Sequence, residues 1–169
     1  IEIQKHVYVE KEFKDSWLET NEFGDSYIKE ELQGGYHYHF DQQFLEIFFN
    51  TGGKIELYNY SIKKNDLIIS GEMLPPKTIR LVHPHLDNVT SEGVIIHELG
   101  HYFDEKHQFS SSKQFTKLYK KYRTLFNQKT KKEYFAECFK EYVGGHQEKV
   151  KPFHSYMKTI TQKIRQKNK

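Results

Sequence analysis

The chain has one cysteine, Cys138, among its 169 residues. An internal disulfide is therefore impossible, as is any cysteine-based zinc knuckle or paired-thiol redox site, and a metal in this protein has to be held by histidine and carboxylate. No apolar run approaches the roughly 18 residues that a membrane-crossing helix needs, so the sequence predicts a soluble protein with no membrane association. Charge of one sign is not in excess either. Twenty-six basic residues face 23 acidic ones for a net +3, and only the stretch from Lys163 to Lys169 is markedly basic. That pattern lacks the concentrated footprint of a nucleic-acid binder, and none is expected as a partner. Internal repeats and low-complexity linkers are missing too.

What the chain has in quantity is aromatic side chains, with 13 Phe and 12 Tyr, 15% of all residues counting tryptophan. A chain of this length buries about 70% of its extended surface on folding, so a core built largely of rings is expected. Residues 1–33 are acidic and weakly patterned; they read as an N-terminal extension or subdomain, with a short strand at Val7 to Val9 and a short helix from Ser26 to Leu32. The N-terminal Ile1 reads as a trimmed end. Residues 34–169 read as the main domain.

After Gly34-Gly35, the spacing of Phe44, Leu45, Phe48 and Phe49 predicts a core helix over 41–50, closed by Gly52-Gly53. Alternation then predicts strands at 54–60, 67–70 and 78–82, the last flanked by Pro75-Pro76 and Pro84. From Thr90 the period becomes helical. Thr90 or Ser91 is predicted to cap a helix over 94–103. Ser111 or Ser112 is predicted to start another whose apolar stripe runs through Phe115, Leu118, Tyr119, Tyr122, Leu125 and Phe126. Thr130 is predicted to start a third, ending at Gly144-Gly145, and Pro152 to open a fourth with Phe153, Tyr156, Met157, Ile160 and Ile164 on one side. The expected fold class is α+β, a small sheet with helices followed by a mostly helical half, and a monomer is expected.

The chemistry concentrates at His97-Glu98-Leu99-Gly100-His101, directly after the apolar run Val94-Ile95-Ile96. Histidines at i and i+4 leave a helix on the same face, so both imidazoles can reach one Zn²⁺, with Glu98 beside the remaining position as a base. A bare histidine pair on an amphipathic helix is the bland alternative, and the buried, well-framed helix argues against it. A catalytic zinc needs a third protein ligand while one position stays open to water. Glu133 is the candidate downstream, with Glu137 one turn later on the same face, able to orient a ligating histidine. Thr130-x-x-Glu133 is also a capping box, which needs no metal, and spacing does not choose between the two.

His-Glu-x-x-His followed by Glu133-Tyr134-Phe135-Ala136-Glu137-Cys138-Phe139 resembles the catalytic domain of anthrax lethal factor and the related clostridial Pro-Pro endopeptidases. The resemblance runs from about Phe40 to Ile164. It includes the strands Lys54-Ile55-Glu56-Leu57 and Ile79-Arg80-Leu81-Val82, Asp104 after the second histidine, and Pro152-Phe153. It implies a zincin-like fold and a zinc metalloprotease: His97, His101 and Glu133 as ligands of one zinc ion, Glu98 as general base, Glu137 as a partner of the site, and an extended protein or peptide substrate. It also implies a secreted bacterial protein, in which this chain could be part of a larger toxin.

One position departs from that family. A tyrosine whose hydroxyl faces the oxyanion is expected seven residues before the glutamate ligand, and Phe126 stands there. Three readings stay open: Phe126 marks a catalytically weakened or inactive binding or toxin-associated module, a shorter loop lets Tyr122 or Tyr134 supply the hydroxyl, or another donor serves. Of the other histidines, the His37/His39 and His83/His85 pairs lack the carboxylates for a second metal site, and His83 and His85 are expected in a loop near the substrate. His6, His107, His146 and His154 are expected in solvent, and Cys138 as a small buried side chain.

Overall fold

A computed structural model describes residues 2–9, 32–35, 37–58, 62–82, 93–128 and 130–167. In chain order the elements are β1 (Glu2–Gln4), β2 (Val7–Val9), α1 (Gln43–Asn50), β3 (Lys54–Tyr58), β4 (Ile62–Lys64), β5 (Leu67–Ile69), β6 (Gly71–Leu74) and β7 (Thr78–Val82). They continue with α2 (Val94–His107), a 3₁₀ turn (Phe109–Ser111), α3 (Lys113–Lys121), α4 (Lys131–Val143), a second 3₁₀ segment (Gln147–Phe153) and α5 (His154–Gln166). The expected α+β class holds, with a mixed sheet first and helices after it.

Five strands form one sheet in the order β1-β2-β3-β7-β6, and β4 pairs with β5 as a separate hairpin. β2, β3 and β7 run parallel, while β1 and β6 are antiparallel to their neighbours. β1 and β2 thus share a sheet with β3, β6 and β7. The helix expected at 26–32 lies outside the described residues, apart from Leu32.

Strand alternation explains the register. Ile55 and Leu57 of β3 and Ile79 and Leu81 of β7 point inward and are almost fully buried. On the opposite face Arg80 sits directly across from Glu56 on one side and Glu72 on the other. Its guanidinium reaches both carboxylates, at 3.3 and 3.5 Å, and lies over the Tyr58 ring. Cross-strand pairs of this kind contribute roughly 0.2–1 kcal/mol each. β6 (71–74) extends the sheet where no strand is predicted. The run at 67–70, expected in the sheet, instead forms the hairpin strand β5.

Beneath the sheet the core is the expected cluster of rings. Phe44 of α1 stands edge-on to Phe103 of α2 and Phe139 of α4, with centroids 6.0 and 5.6 Å apart. Phe115 meets Phe135 in the same way and packs tilted against Phe153. α2 starts after Gly93, whose backbone is left-handed; Thr90 and Ser91 lie outside the described residues.

α1 starts two residues later than expected and α2 runs on to His107, four residues past the expected end at 103; two further boundaries also differ. α3 is capped by Ser112, whose hydroxyl accepts from the Phe115 N–H, but it stops at Lys121 rather than running through Phe126. The buried Tyr134 hydroxyl takes the Tyr122 carbonyl, the acceptor that residue 126 would need to continue the helix. Pro152 lies in the 3₁₀ segment before α5 rather than in its first turn, and the Phe153, Tyr156, Met157, Ile160 and Ile164 face is buried as expected.

Candidate metal centre

Two helices build the site. α2 buries Ile95, Ile96, Leu99 and Phe103 completely, which turns the opposite face, with His97 and His101, toward α4. Along α4, Phe135, Cys138 and Phe139 are buried, leaving Glu133 and Glu137 facing the histidines. Cys138 is the small buried side chain expected. The helices can approach because Gly100 has no side chain: a Cβ there would lie 3.1 Å from Ala136 Cα and 3.2 Å from Phe139 Cβ.

The resulting cluster is tight. His97 Nε2 lies 2.8 Å from Glu133 Oε2 and His101 Nε2 lies 2.9 Å from Glu133 Oε1, so one carboxylate bridges both rings. The rings stand nearly perpendicular, 4.9 Å apart. His97 Nδ1 is 2.7 Å from Glu137 Oε1, and the other oxygen of Glu137 accepts from Lys140 Nζ at 3.0 Å. Ligand atoms of His97, His101 and Glu133 all fall within 4.8 Å of one another, a group able to hold a metal ion. The structure shows which way the Glu133 side chain turns. Thr130 does cap α4, accepting the Glu133 N–H at 3.1 Å, yet the Glu133 side chain turns to the histidines instead of completing the box.

Electrostatics follow from that geometry. Burial disfavours a charged His97, but hydrogen bonds to Glu133 and Glu137 outweigh it and push the ring up to about 10. The same contacts, from His101 and then His97, hold Glu133 well below the usual carboxylate range. Glu137 is lowered despite its burial, by His97 and Lys140. Glu98 goes the other way, because burial pushes its carboxyl up more than the two histidines draw it down.

The donor set fits a small divalent cation. Tetrahedral zinc with bonds of 2.0–2.1 Å keeps neighbouring ligand atoms about 3.3 Å apart, so separating these atoms by roughly half an ångström makes room for the ion. Glu137, by accepting from Nδ1–H, leaves Nε2 as the ligand nitrogen of His97. Among the described residues no other His, Cys, Asp or Glu group gathers this way.

Two cavities flank the cluster and share Ile69, Gly71, Glu98 and Glu133 in their walls. One, of about 380 Å³, adds Ser70, His97, Gln128, Glu137 and Lys140. The other, of about 440 Å³, adds Lys64, Glu72, Met73, His101 and Lys132. Among the described residues β6 is an edge strand of the sheet, beside α2, and it comes close because Gly71 carries no side chain to meet Val94.

The structure does not bring the tyrosines to these walls. Tyr134 is fully buried with its hydroxyl on the Tyr122 carbonyl, and the Tyr122 ring packs against Phe153. Phe126 stacks edge-on against Tyr134, 5.3 Å away, off any helical stripe. His83 and His85 lie outside the described residues. The histidines expected in solvent are engaged instead: His6 stacks on Phe49, His146 bridges Glu141 and the His37 carbonyl, His154 bonds the Gln147 carbonyl, and His107 buries Nε2 with no hydrogen-bond partner among the described residues. Gln128, Lys140 and the β6 edge were not singled out from sequence. Only Lys140 carried a signal, its i+3 spacing from Glu137 on the ligand face. Comparison with known proteins adds no family: no protein-family model matches the chain, and no curated protein matches it.

Proposed function

We propose that this protein is a zinc-dependent metalloendopeptidase of zincin-like fold in which His97, His101 and Glu133 hold the ion and Glu98 is the general base. The observation that carries the reading is the placement of Glu98, a buried carboxyl in the walls of both cavities that flank the three-ligand cluster. Zinc held there supplies a more acidic water and polarises a peptide carbonyl.

The chain's own residues do the rest. Glu98 takes a proton from the attacking water as its oxygen bonds to the carbonyl carbon and the C=O pair moves onto oxygen. When the C–N bond breaks, the same carboxyl returns the proton to the leaving amine. Glu137 holds His97 in orientation, and Lys140 in turn holds Glu137. An extended peptide would add to the edge strand β6, gaining affinity from main-chain hydrogen bonds and choice from the two cavities. A secreted monomer acting on protein substrates accords with this reading, and among the described residues no helix is long and apolar enough to cross a membrane.

A zinc-holding module that binds without cutting is the competing reading, favoured by Phe126. Glu98 stands against it, since a site that only stabilises a fold has no use for a carboxylate base beside the ligands. The test is a combinatorial peptide library incubated with zinc-loaded protein, with chelator, and with Glu98→Gln. Cleavage that disappears in both controls, while Glu98→Gln still binds one zinc, supports the enzyme; full metal loading with no cleavage by the wild type supports the module.

A further inference from the structure

Addition to a carbonyl places negative charge on its oxygen, and the gain from a fixed donor at that point is largest in a site shielded from water. The 380 Å³ cavity beside His97 and Glu98 offers three side chains able to donate a hydrogen bond outside the metal cluster: Ser70, Gln128 and Lys140. Lys140 is committed, its ammonium lying 3.0 Å from Glu137 and 3.7 Å from Glu141, with little of the side chain exposed. Gln128 is different. It is half-buried, and among the described residues its amide makes no hydrogen bond. It stands five residues before Glu133, ahead of the Thr130 cap of α4, and lines the cavity.

We propose that the Gln128 side-chain N–H donates to the oxygen of the reacting carbonyl. This rests on the peptidase reading. The amide is neutral, so it leaves the charge balance that holds Glu133 and Glu137 undisturbed, and it donates in every protonation state of its neighbours. The balance of the step is unchanged: the C=O pair moves onto oxygen, Gln128 hydrogen-bonds that oxygen without transferring a proton, and the proton traffic stays with Glu98.

The experiment uses the zinc-loaded chain, the peptide it cleaves best from the library, and a phosphinic analogue of that peptide as a tetrahedral mimic. Loss of one such donor lowers turnover about 10²- to 10³-fold. Gln128→Ala is expected to lose that much in kcat with little change in KM, and to weaken the phosphinic analogue in parallel while the uncleaved substrate analogue binds as before. Gln128→Glu, which keeps the shape but replaces the donor with a negative acceptor, is expected to fall further. Zinc stoichiometry and Tm should stay at wild-type values in both. Retention of kcat in Gln128→Ala, or a loss found in Ser70→Ala instead, overturns the assignment while the peptidase reading stands. If the wild-type protein neither cleaves the library nor binds the phosphinic analogue, both fall together.

Discussion

Gly100 on α2 and Ala136 on α4 lie in van der Waals contact, and a methyl group added at Gly100 would come within 3.1 Å of Ala136 Cα and 3.3 Å of its carbonyl oxygen. The contact falls between His97 and His101 on one helix and between Glu133 and Glu137 on the other. Two small residues therefore set the distance from imidazoles to carboxylates, and packing and ligand geometry become one quantity.

Gly100→Ala should for that reason weaken metal binding more than it changes the fold. Alanine brings about 1 kcal/mol of helix propensity over glycine, while overpacking typically costs about 1–3 kcal/mol, so the net loss of stability is modest. Relieving the contact displaces α2 relative to α4 by a few tenths of an ångström on top of the opening that the ion itself requires, beyond the roughly ±0.2 Å that ligand distances tolerate. Competition against a chromophoric chelator would measure the affinity; a variant that binds zinc like the wild type would show that the helices are not the gauge.

Glu137→Ala should lower metal affinity by about 10- to 100-fold, the usual consequence of removing the group that orients a ligating histidine. Glu133→Ala removes a ligand and should lose more. Glu137 lies 2.7 Å from His97 Nδ1 and 3.0 Å from Lys140 Nζ, so its loss frees the ring and strands the ammonium. The same titration ranks the two variants, and equal losses would assign Glu137 a ligand's part.

Thr130→Ala separates the cap from the ligand. Its hydroxyl accepts the Glu133 N–H at 3.1 Å, and removing such a cap costs about 1 kcal/mol. Because the Glu133 carboxylate is positioned by both histidines, Tm should fall while zinc affinity stays close to that of the wild type. A large loss of affinity with a small change in Tm would mean that the cap aims the side chain.

Acid should reveal His107. Burial, followed by the charges of Lys167, Lys106 and Lys163, lowers its ring from the ordinary 6.5 to about 4, and Nε2 is buried with no hydrogen-bond partner among the described residues. Between those values the unfolded chain takes up a proton that the folded chain refuses, so stability falls as pH drops from 6.5 toward 4 and this contribution levels off below. His107→Phe keeps the stacking on Phe109, 5.0 Å away, and removes the titration. Thermal melts at pH 7 and 4.5 should show a smaller acid loss in the variant; parallel losses would assign the slope to other groups.

Much of this centre was legible in the sequence because its signals are local. The 97–101 motif marks α2, although that helix runs four residues past the expected end at 103, and the Thr130 cap and Gly144 delimit α4 almost to the residue. What was hidden depends on distant partners. Tyr122, Leu125 and Phe126 keep helical spacing, yet the Tyr134 hydroxyl claims the carbonyl that the helix needed. β6 has no alternation to read, all four residues being half-buried at a sheet edge. The capping-box pattern was real, and only the histidines across the interface decided where its glutamate would point.

Gly71→Ala should disturb the groove proposed for the peptide and leave metal binding by the cluster unchanged. Gly71 begins β6 and lies in the walls of both cavities, and a Cβ there would sit 2.7 Å from Val94 Cγ1 and 2.9 Å from the Arg80 carbonyl oxygen. The valine methyl can shift, but the carbonyl belongs to the neighbouring strand β7 and accepts no such contact, so the edge strand has to move outward from α2. His97, His101 and Glu133 stand on α2 and α4 and keep their places. Zinc stoichiometry should therefore be unchanged, stability lower by about 1–3 kcal/mol as for other overpacked sites, and KM for the best library peptide raised more than kcat is lowered. A variant that loses zinc while KM holds would place the edge strand in the metal centre rather than in the groove.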